Sequence, residues 1–189
     1  MIERAITSKD IDSRFYNHNL RLAEKWEEFC KKYKGEITGI INSAILEFQL
    51  NLSIDNFDIQ INGLRQHSNV NAGGITKFSM TKNTVITINP INYGRENWKI
   101  YESNKLRNFF NKLIGKCNTY NAAQGFSITS RKEIDDHWKS SIFKLNKLFE
   151  IAKIRTISYS KATLRIEYLT LLGTQSVEEL VSLINNSND

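Results

Sequence analysis

The sequence contains few of the residues that form cross-links, chain breaks and flexible linkers. Its 189 residues include two cysteines, one proline and nine glycines, and no Pro-rich or Ser/Gly-rich stretch divides it. Because Cys30 and Cys117 are far apart and are the only cysteines, we expect two buried, reduced thiols rather than a disulfide framework. A chain of this length without a linker predicts a single domain.

Long apolar runs are also missing. No segment approaches the roughly 18 consecutive apolar residues that a membrane-spanning helix requires. The first ten residues carry charges throughout and do not contain the apolar core of a signal peptide. We therefore expect a soluble, cytoplasmic protein with no transmembrane segment.

Recognisable catalytic and ligand-binding motifs are absent as well. The histidines His18, His67 and His137 are remote from one another, and none has a partner at a metal-ligand spacing. The Asp-Asp-His run at 135–137 would point in three directions on a helix, which favours charge at a helix N-terminus over a site. Gly73-Gly74 has neither the lysine nor the helix start of a phosphate loop. The sequence thus predicts no catalytic residue, no metal and no cofactor.

Positive charge is concentrated in the middle of the chain. Between Trp98 and Lys161 there are thirteen Lys and Arg against five acids, a balance of 13 − 5 = +8, so the remainder of the +6 chain sums to −2. Such an asymmetry indicates a positive surface that faces an acidic partner. This segment supplies the candidate binding residues.

The first candidate is a stripe of lysines. Lys105, Lys112 and Lys116 are seven and four residues apart on a helix predicted at about 103–115. That spacing places the three cations beside one another along the helix. They form either a binding ridge or an ordinary solvated border of the apolar face.

The second candidate is an aromatic residue between two cations. Lys139, Phe143 and Lys147 are spaced i, i+4, i+8 on a helix predicted at about 130–153. A helical projection places Phe143 opposite the apolar face, where it could stack on a base or anchor a protein partner. Alternatively, a break at Ser140-Ser141 rotates Phe143 into the core, or a neighbouring element covers it.

Alternation of apolar and polar residues predicts three β-hairpins, at about 44–62, 76–91 and 155–171. In the second, a three-residue turn around Asn83 would place Met80 opposite Ile86. Residues 36–45 fit a helix or a strand. The expected pairs in the other two hairpins are Ile54 with Phe57, Leu52 with Ile59, Leu50 with Ile61, Ile157 with Ile166, and Tyr159 with Leu164.

Helical periodicity completes the predicted fold. An N-terminal helical segment at about 10–34, either one long helix or two short ones, ends at Gly35. The helix at 130–153 opens on a capping box from Ser130 to Glu133. A second capping box, from Ser176 to Glu179, opens a closing helix at about 176–186, with Val177, Leu180, Val181 and Ile184 facing inward. The fold class is therefore α+β, with helices packed against a largely antiparallel sheet built from hairpins.

The layout over about residues 78–183 resembles that of bacterial domains of unknown function. The resemblance rests on an apolar strand, Trp98-Lys-Ile-Tyr, a helix ending in Lys112-Leu-Ile-Gly-Lys116, and Gly125-Phe-Ser-Ile-Thr-Ser130, followed by helix, hairpin and helix. Such domains typically carry an acidic Gly-Asp and Phe-Asp pair, where this chain has Cys117-Asn-Thr-Tyr-Asn-Ala-Ala-Gln124. The resemblance implies a layout and no activity.

These patterns lead to a functional expectation with two alternatives. The leading expectation is a non-enzymatic interaction module that engages an acidic protein or another anionic partner through the basic helical face of residues 98–161. A nucleic-acid-binding protein is the first alternative, because the same lysines and Phe143 would suit it. An enzyme whose site is assembled from dispersed residues is the second. An exposed edge strand would allow a homo-oligomer.

Overall fold

The computed structural model describes residues 1–4, 7, 10, 12–72, 75–102, 118–122 and 126–188. They form helices and mostly antiparallel strands, so the predicted α+β class is confirmed. The chain packs into two compact units: unit 1 is Met1–Ile86 with Thr170–Thr174, and unit 2 is Thr87–Leu169 with Gln175–Asp189. The prediction of a single domain stays a prediction.

Unit 1 contains strands in the order β1-β2-β3-β4-β5 and one helix, α1. The hairpin predicted at 44–62 is present with the expected pairs, since Leu50 lies opposite Ile61 and Ile54 opposite Phe57. The ambiguous residues after Gly35 form a strand that pairs with β3. The elements are β1 (Ile2–Arg4), α1 (Arg14–Lys32), β2 (Glu36–Ile41), β3 (Ile45–Ile54), β4 (Phe57–Ala72) and β5 (Ile75–Asn89).

The prediction of a hairpin at 76–91 is wrong. Residues Ile75–Asn89 form one uninterrupted strand, β5, whose neighbour is β4. The hydroxyl groups of Ser68 and Ser79 hydrogen-bond between the two strands. The polar pair Lys82-Asn83 resembles a turn, but the alternation on either side of it continues in one register. The Asn-rich residues that resemble a loop form the second half of β4.

Helix α1 begins at Arg14 and ends at Lys32, within the predicted 10–34. The Ser13 hydroxyl caps its N-terminus by accepting a hydrogen bond from the Tyr16 N–H at 3.4 Å. At its C-terminus the left-handed residue is Lys34, with φ of 53°, rather than Gly35. Glycine is needed at position 35 because an added Cβ would lie 2.6 Å from the Asn51 carbonyl oxygen.

Unit 2 contains strands in the order β10-β9-β6-β8-β7, each antiparallel to its neighbour. The predicted pairs Ile157–Ile166 and Tyr159–Leu164 are confirmed. The predicted helix at 103–115 lies outside the described residues. The elements are β6 (Trp98–Glu102), β7 (Asn118–Ala122), β8 (Phe126–Ser130), α2 (Asp136–Lys144), a 3-10 turn (Leu145–Lys147), α3 (Leu148–Ile151), β9 (Ile154–Ser160), β10 (Thr163–Tyr168) and α4 (Thr174–Asn188).

The helix predicted at 130–153 starts later than the sequence indicates and is interrupted. Ser130 belongs to β8, and its hydroxyl donates to the Asn97 carbonyl at 3.0 Å instead of capping a helix. Asp135 caps helix α2 instead, because its side chain accepts a hydrogen bond from the His137 N–H at 3.0 Å. Helix α2 follows, and the 3-10 turn separates it from α3.

The closing helix α4 begins at Thr174, two residues before the predicted start, so the proposed capping box at Ser176 lies inside the helix. The predicted inward residues are all buried, and they are Val177, Leu180, Val181 and Ile184. None of the described helices is long and apolar enough to cross a membrane. Cys30 is a buried, free thiol, while Cys117 lies outside the described part of the chain.

Candidate anion-binding site

The structure places only part of the predicted site. Lys105, Lys112 and Lys116 lie outside the described residues, so the lysine stripe stays a prediction. Helix α2 carries Lys139 and Phe143, and Lys147 lies in the 3-10 turn. The side chain of Phe143 is likewise outside the described part, so its expected exposure is untested.

The two cations of the second candidate that the structure describes, Lys139 and Lys147, have acidic neighbours. Lys139 is only 19% exposed, and its Nζ lies 2.8 Å from Asp136 Oδ1 and 3.9 Å from Glu133 Oε1. The hydrogen bond from Lys139 lowers the pKa of the Asp136 carboxyl. Lys147 is exposed in a depression whose lining includes Glu150, Glu178 and Glu179. Positive charge at these positions is therefore largely compensated.

Uncompensated positive charge lies in unit 1, where α1 meets β4. Arg65 of β4 is 5% exposed, and its Nη1 donates to the side-chain oxygen of Asn19 on α1. Asn19 is fully buried and its Nδ2 donates to the Asn42 carbonyl at 3.0 Å. Asn19 therefore connects α1 to β4 and to the end of β2, and holds the guanidinium in place.

The charge of Arg65 has no counter-ion among the described residues. Its Nε is enclosed and makes no hydrogen bond. Burial lowers the pKa of the guanidinium, and no carboxylate acts against this effect. Removing an ion from water without a partner costs several kcal/mol. An unsatisfied buried group calls for a partner, and an anion would also compensate the charge of Arg65.

His67 follows Arg65 on the same face of β4. Its backbone N–H donates to the Ala44 carbonyl at 2.7 Å, and its ring centroid lies 4.4 Å from that of Phe15. The Nε2 atom is enclosed and has no hydrogen-bond partner. The strand thus fixes His67 beside the guanidinium, with one ring nitrogen unsatisfied.

Two exposed side chains, an imidazole and an ammonium group, complete the group. His18 lies on α1, one residue before Asn19, and Lys82 lies on β5. Burial, followed by the charges of Arg65 and Lys82, lowers the pKa of both imidazoles. Every charge acting on His18 or His67 within the described residues is positive. We call Arg65, His67, His18 and Lys82 the cationic cluster.

An apolar surface adjoins the cationic cluster. On β5, Thr84 and Ile86 are buried, whereas Met80 and Phe78, of the same parity, are 45% and 77% exposed. The core-facing side of β5 therefore extends beyond the elements that cover it. Phe15, at the start of α1, is 50% exposed. We call Phe15, Met80 and Phe78 the apolar margin.

The sequence contains one signal for this site. Arg65 continues the inward series Ile59, Ile61 and Gly63 along β4 and is itself buried. A charged residue at an inward position of a strand is unusual and marks either a buried ion pair or a site. Because β4 is longer than the predicted hairpin strand, which ends near residue 62, this signal falls outside the predicted element.

Unit 2 contains a second place where cations gather without acids. A cavity of about 640 Å³ is lined by the rings of Trp138 and Tyr159 and by Arg95 and Lys161, and none of its lining residues is acidic. The Tyr159 hydroxyl is already satisfied, at 3.0 Å from the Gly94 carbonyl and 3.3 Å from the Tyr93 N–H. Both cations lie at exposed positions. They are therefore less constrained than Arg65.

No group of three or more His, Cys, Asp or Glu that could hold a metal occurs among the described residues. No protein-family model matches the sequence, and no curated protein matches it. The resemblance to bacterial domains of unknown function therefore stays a prediction.

Proposed function

We propose that this protein is a cytoplasmic, non-enzymatic binding module for an acidic polypeptide segment, which docks on the cationic cluster and the apolar margin. The observation that supports this most strongly is the buried, uncompensated charge of Arg65 beside an exposed apolar surface. The expected partner is acidic, as the positive charge of the sequence also predicts. The proposed surface is different, since it lies on α1, β4 and β5 rather than in residues 98–161.

The two parts of this surface have complementary roles. Exposed apolar side chains supply contact area that is removed from water when a partner binds. Cations without counter-ions attract acidic segments and orient them, and an acidic partner relieves their mutual repulsion. Phe78 and Met80 extend in line with Lys82 along one side of β5, which suits an extended peptide whose acidic and apolar side chains alternate. Nucleic acid is the alternative occupant, because aromatic side chains beside cations also bind bases and phosphates.

Binding of a fluorescein-labelled peptide of alternating Glu and Leu residues tests the proposal. We expect the double variant Lys82→Glu/Phe78→Ser to weaken binding about tenfold, since it removes one cation and one apolar contact from the surface. The matched control is Lys25→Glu, which makes the same charge change at an exposed position of α1. Its effect should stay within about twofold, because Lys25 lies about 10 Å along α1 from His18, beyond the screening length of about 8 Å at physiological salt.

The outcomes separate the occupants. Equal weakening by both variants would mean that the peptide responds only to net charge, and the proposed surface would be wrong. Binding of an oligothymidylate that is about tenfold tighter than that of the peptide, and equally sensitive to Lys82→Glu/Phe78→Ser, would favour the nucleic-acid alternative.

A further inference from the structure

We infer that the cationic cluster is a receptor for a dianionic phosphate monoester and that it takes up a proton when the phosphate binds. This inference rests on the proposed function and specifies the chemistry of its anionic contact. It is carried by the way in which three elements meet. Arg65 and His67 share one face of β4, the Arg65–Asn19 hydrogen bond and the Phe15–His67 ring contact hold α1 against that face, and the Ser68–Ser79 hydrogen bond joins β4 to β5, which carries Lys82. No carboxylate among the described residues acts on the arginine or on either histidine.

The number of charges favours a dianion. Arg65 and Lys82 provide two permanent positive charges, and a phosphate monoester carries between one and a half and two negative charges near neutral pH (about −1.5 to −2). A carboxylate or a phosphodiester carries one, which would leave one of the two cations uncompensated. His18 and His67 can each add a further positive charge, so the cluster can match a dianion without help from other elements.

The exposure of the four side chains defines how the anion enters. His18 and Lys82 are exposed and His67 is partly exposed, whereas Arg65 lies beneath them. We assign the direct contacts to the three outer side chains. Arg65 acts from below as a fixed charge, because a buried ion is screened by solvent far less than a surface one. Phe15, half exposed and packed on His67, lies beside this entrance.

Proton uptake follows from the surroundings of the two histidines. The positive charges of Arg65 and Lys82 disfavour protonation of His67 and His18, and Arg21 adds to this effect at His18. A bound dianion reverses the sign of the local field and favours the imidazolium forms. Hydrogen bonds from Ser43 and Thr7 lower the pKa of the Asp10 carboxyl, whose charge does not act on either histidine. By linkage, the affinity for a dianion of fixed charge must increase as pH falls through the histidine range.

Isothermal titration calorimetry with sulfate, inorganic phosphate and phenyl phosphate tests this inference on the full chain. Sulfate is a dianion that does not titrate between about pH 6 and pH 8, so any change in its affinity over that range reports protonation of the protein. We expect its affinity to rise as pH falls from 8 to 6, by up to about tenfold per pH unit for each proton taken up. Phenyl phosphate should bind more tightly than inorganic phosphate, because its ring can contact Phe15.

The variants are chosen so that folding is not at risk. His18→Gln/Lys82→Gln changes two exposed side chains and should lower sulfate affinity about tenfold and reduce its pH dependence. Lys25→Gln is the matched control and should change neither quantity by more than about twofold.

Three results would overturn the inference: sulfate affinity that is independent of pH, phenyl phosphate that binds no tighter than an oligothymidylate, or equal responses of Lys25→Gln and the double variant. If the acidic peptide still binds through Lys82 and Phe78 while phosphate does not compete with it, this inference fails and the proposed function stands. If neither peptide nor phosphate binds, both fail.

Discussion

Single residues decide how the parts of unit 1 are joined, and Asn19 is the clearest case. Its side chain satisfies the Asn42 carbonyl and accepts a hydrogen bond from Arg65, and none of its surface reaches solvent. Nothing in the sequence distinguishes Asn19 from its many exposed counterparts. Only the packing of α1 on β4 shows that it is buried, because a helical pattern of apolar residues leaves the polar positions unassigned.

Replacement of Asn19 measures this junction. Asn19→Ala leaves a backbone carbonyl and one guanidinium nitrogen without partners in a buried place, which should lower the free energy of unfolding by about 3 kcal/mol. The matched control, Asn17→Ala on the exposed side of α1, should stay within about 0.5 kcal/mol. Urea unfolding followed by circular dichroism gives both values. Similar losses in the two variants would contradict a special role for Asn19.

Helices and strands differed in how well their sequences predicted them. The pairs of the first and third hairpins follow from alternation, because a shift of one residue would expose Leu50, Ile61 and their neighbours. The prediction of the second hairpin failed because the long pairing of β4 with β5 places polar residues in strands. Alternation cannot distinguish an exposed ribbon from a loop, since neither buries a continuous apolar face.

The start of α2 provides a direct test of which capping interaction operates. Asp135 caps the helix with a hydrogen bond to the His137 N–H, whereas the sequence predicts a capping box that uses Glu133. We expect Asp135→Ala to cost about 1 kcal/mol of stability, the usual cost of losing an N-cap. Glu133 is 81% exposed and lies 3.9 Å from Lys139, so Glu133→Ala should cost less than about 0.5 kcal/mol. Thermal unfolding of the two variants measures both losses of stability. A larger loss for Glu133→Ala than for Asp135→Ala would favour the predicted capping box.

Across the entire chain, net charge and local charge point to different places. Unit 1 contains eleven Lys and Arg against ten Asp and Glu, a net of +1, while unit 2 carries the remaining +5 of the total of +6. The cationic cluster nevertheless lies in unit 1, because the acids of that unit do not act on it. Charge counted along a sequence thus predicts long-range attraction, whereas a site depends on which charges remain unpaired after folding.

This distinction gives a last prediction, which concerns the lysine stripe of Lys105, Lys112 and Lys116. Changing all three to Glu removes six units of positive charge, so the chain should elute from heparin at a markedly lower salt concentration, since the attraction of polyanions depends on total charge and is screened by salt. Sulfate affinity of the cationic cluster should change by less than about twofold, because none of the three lysines belongs to the cluster and an effect of net charge alone is screened by salt. His18→Gln/Lys82→Gln should give the opposite pattern, with nearly unchanged heparin elution and weakened sulfate binding. If the stripe variant lost sulfate binding instead, the specific anion contact would belong to the basic central segment, and the cluster on α1, β4 and β5 would be a structural feature of unit 1.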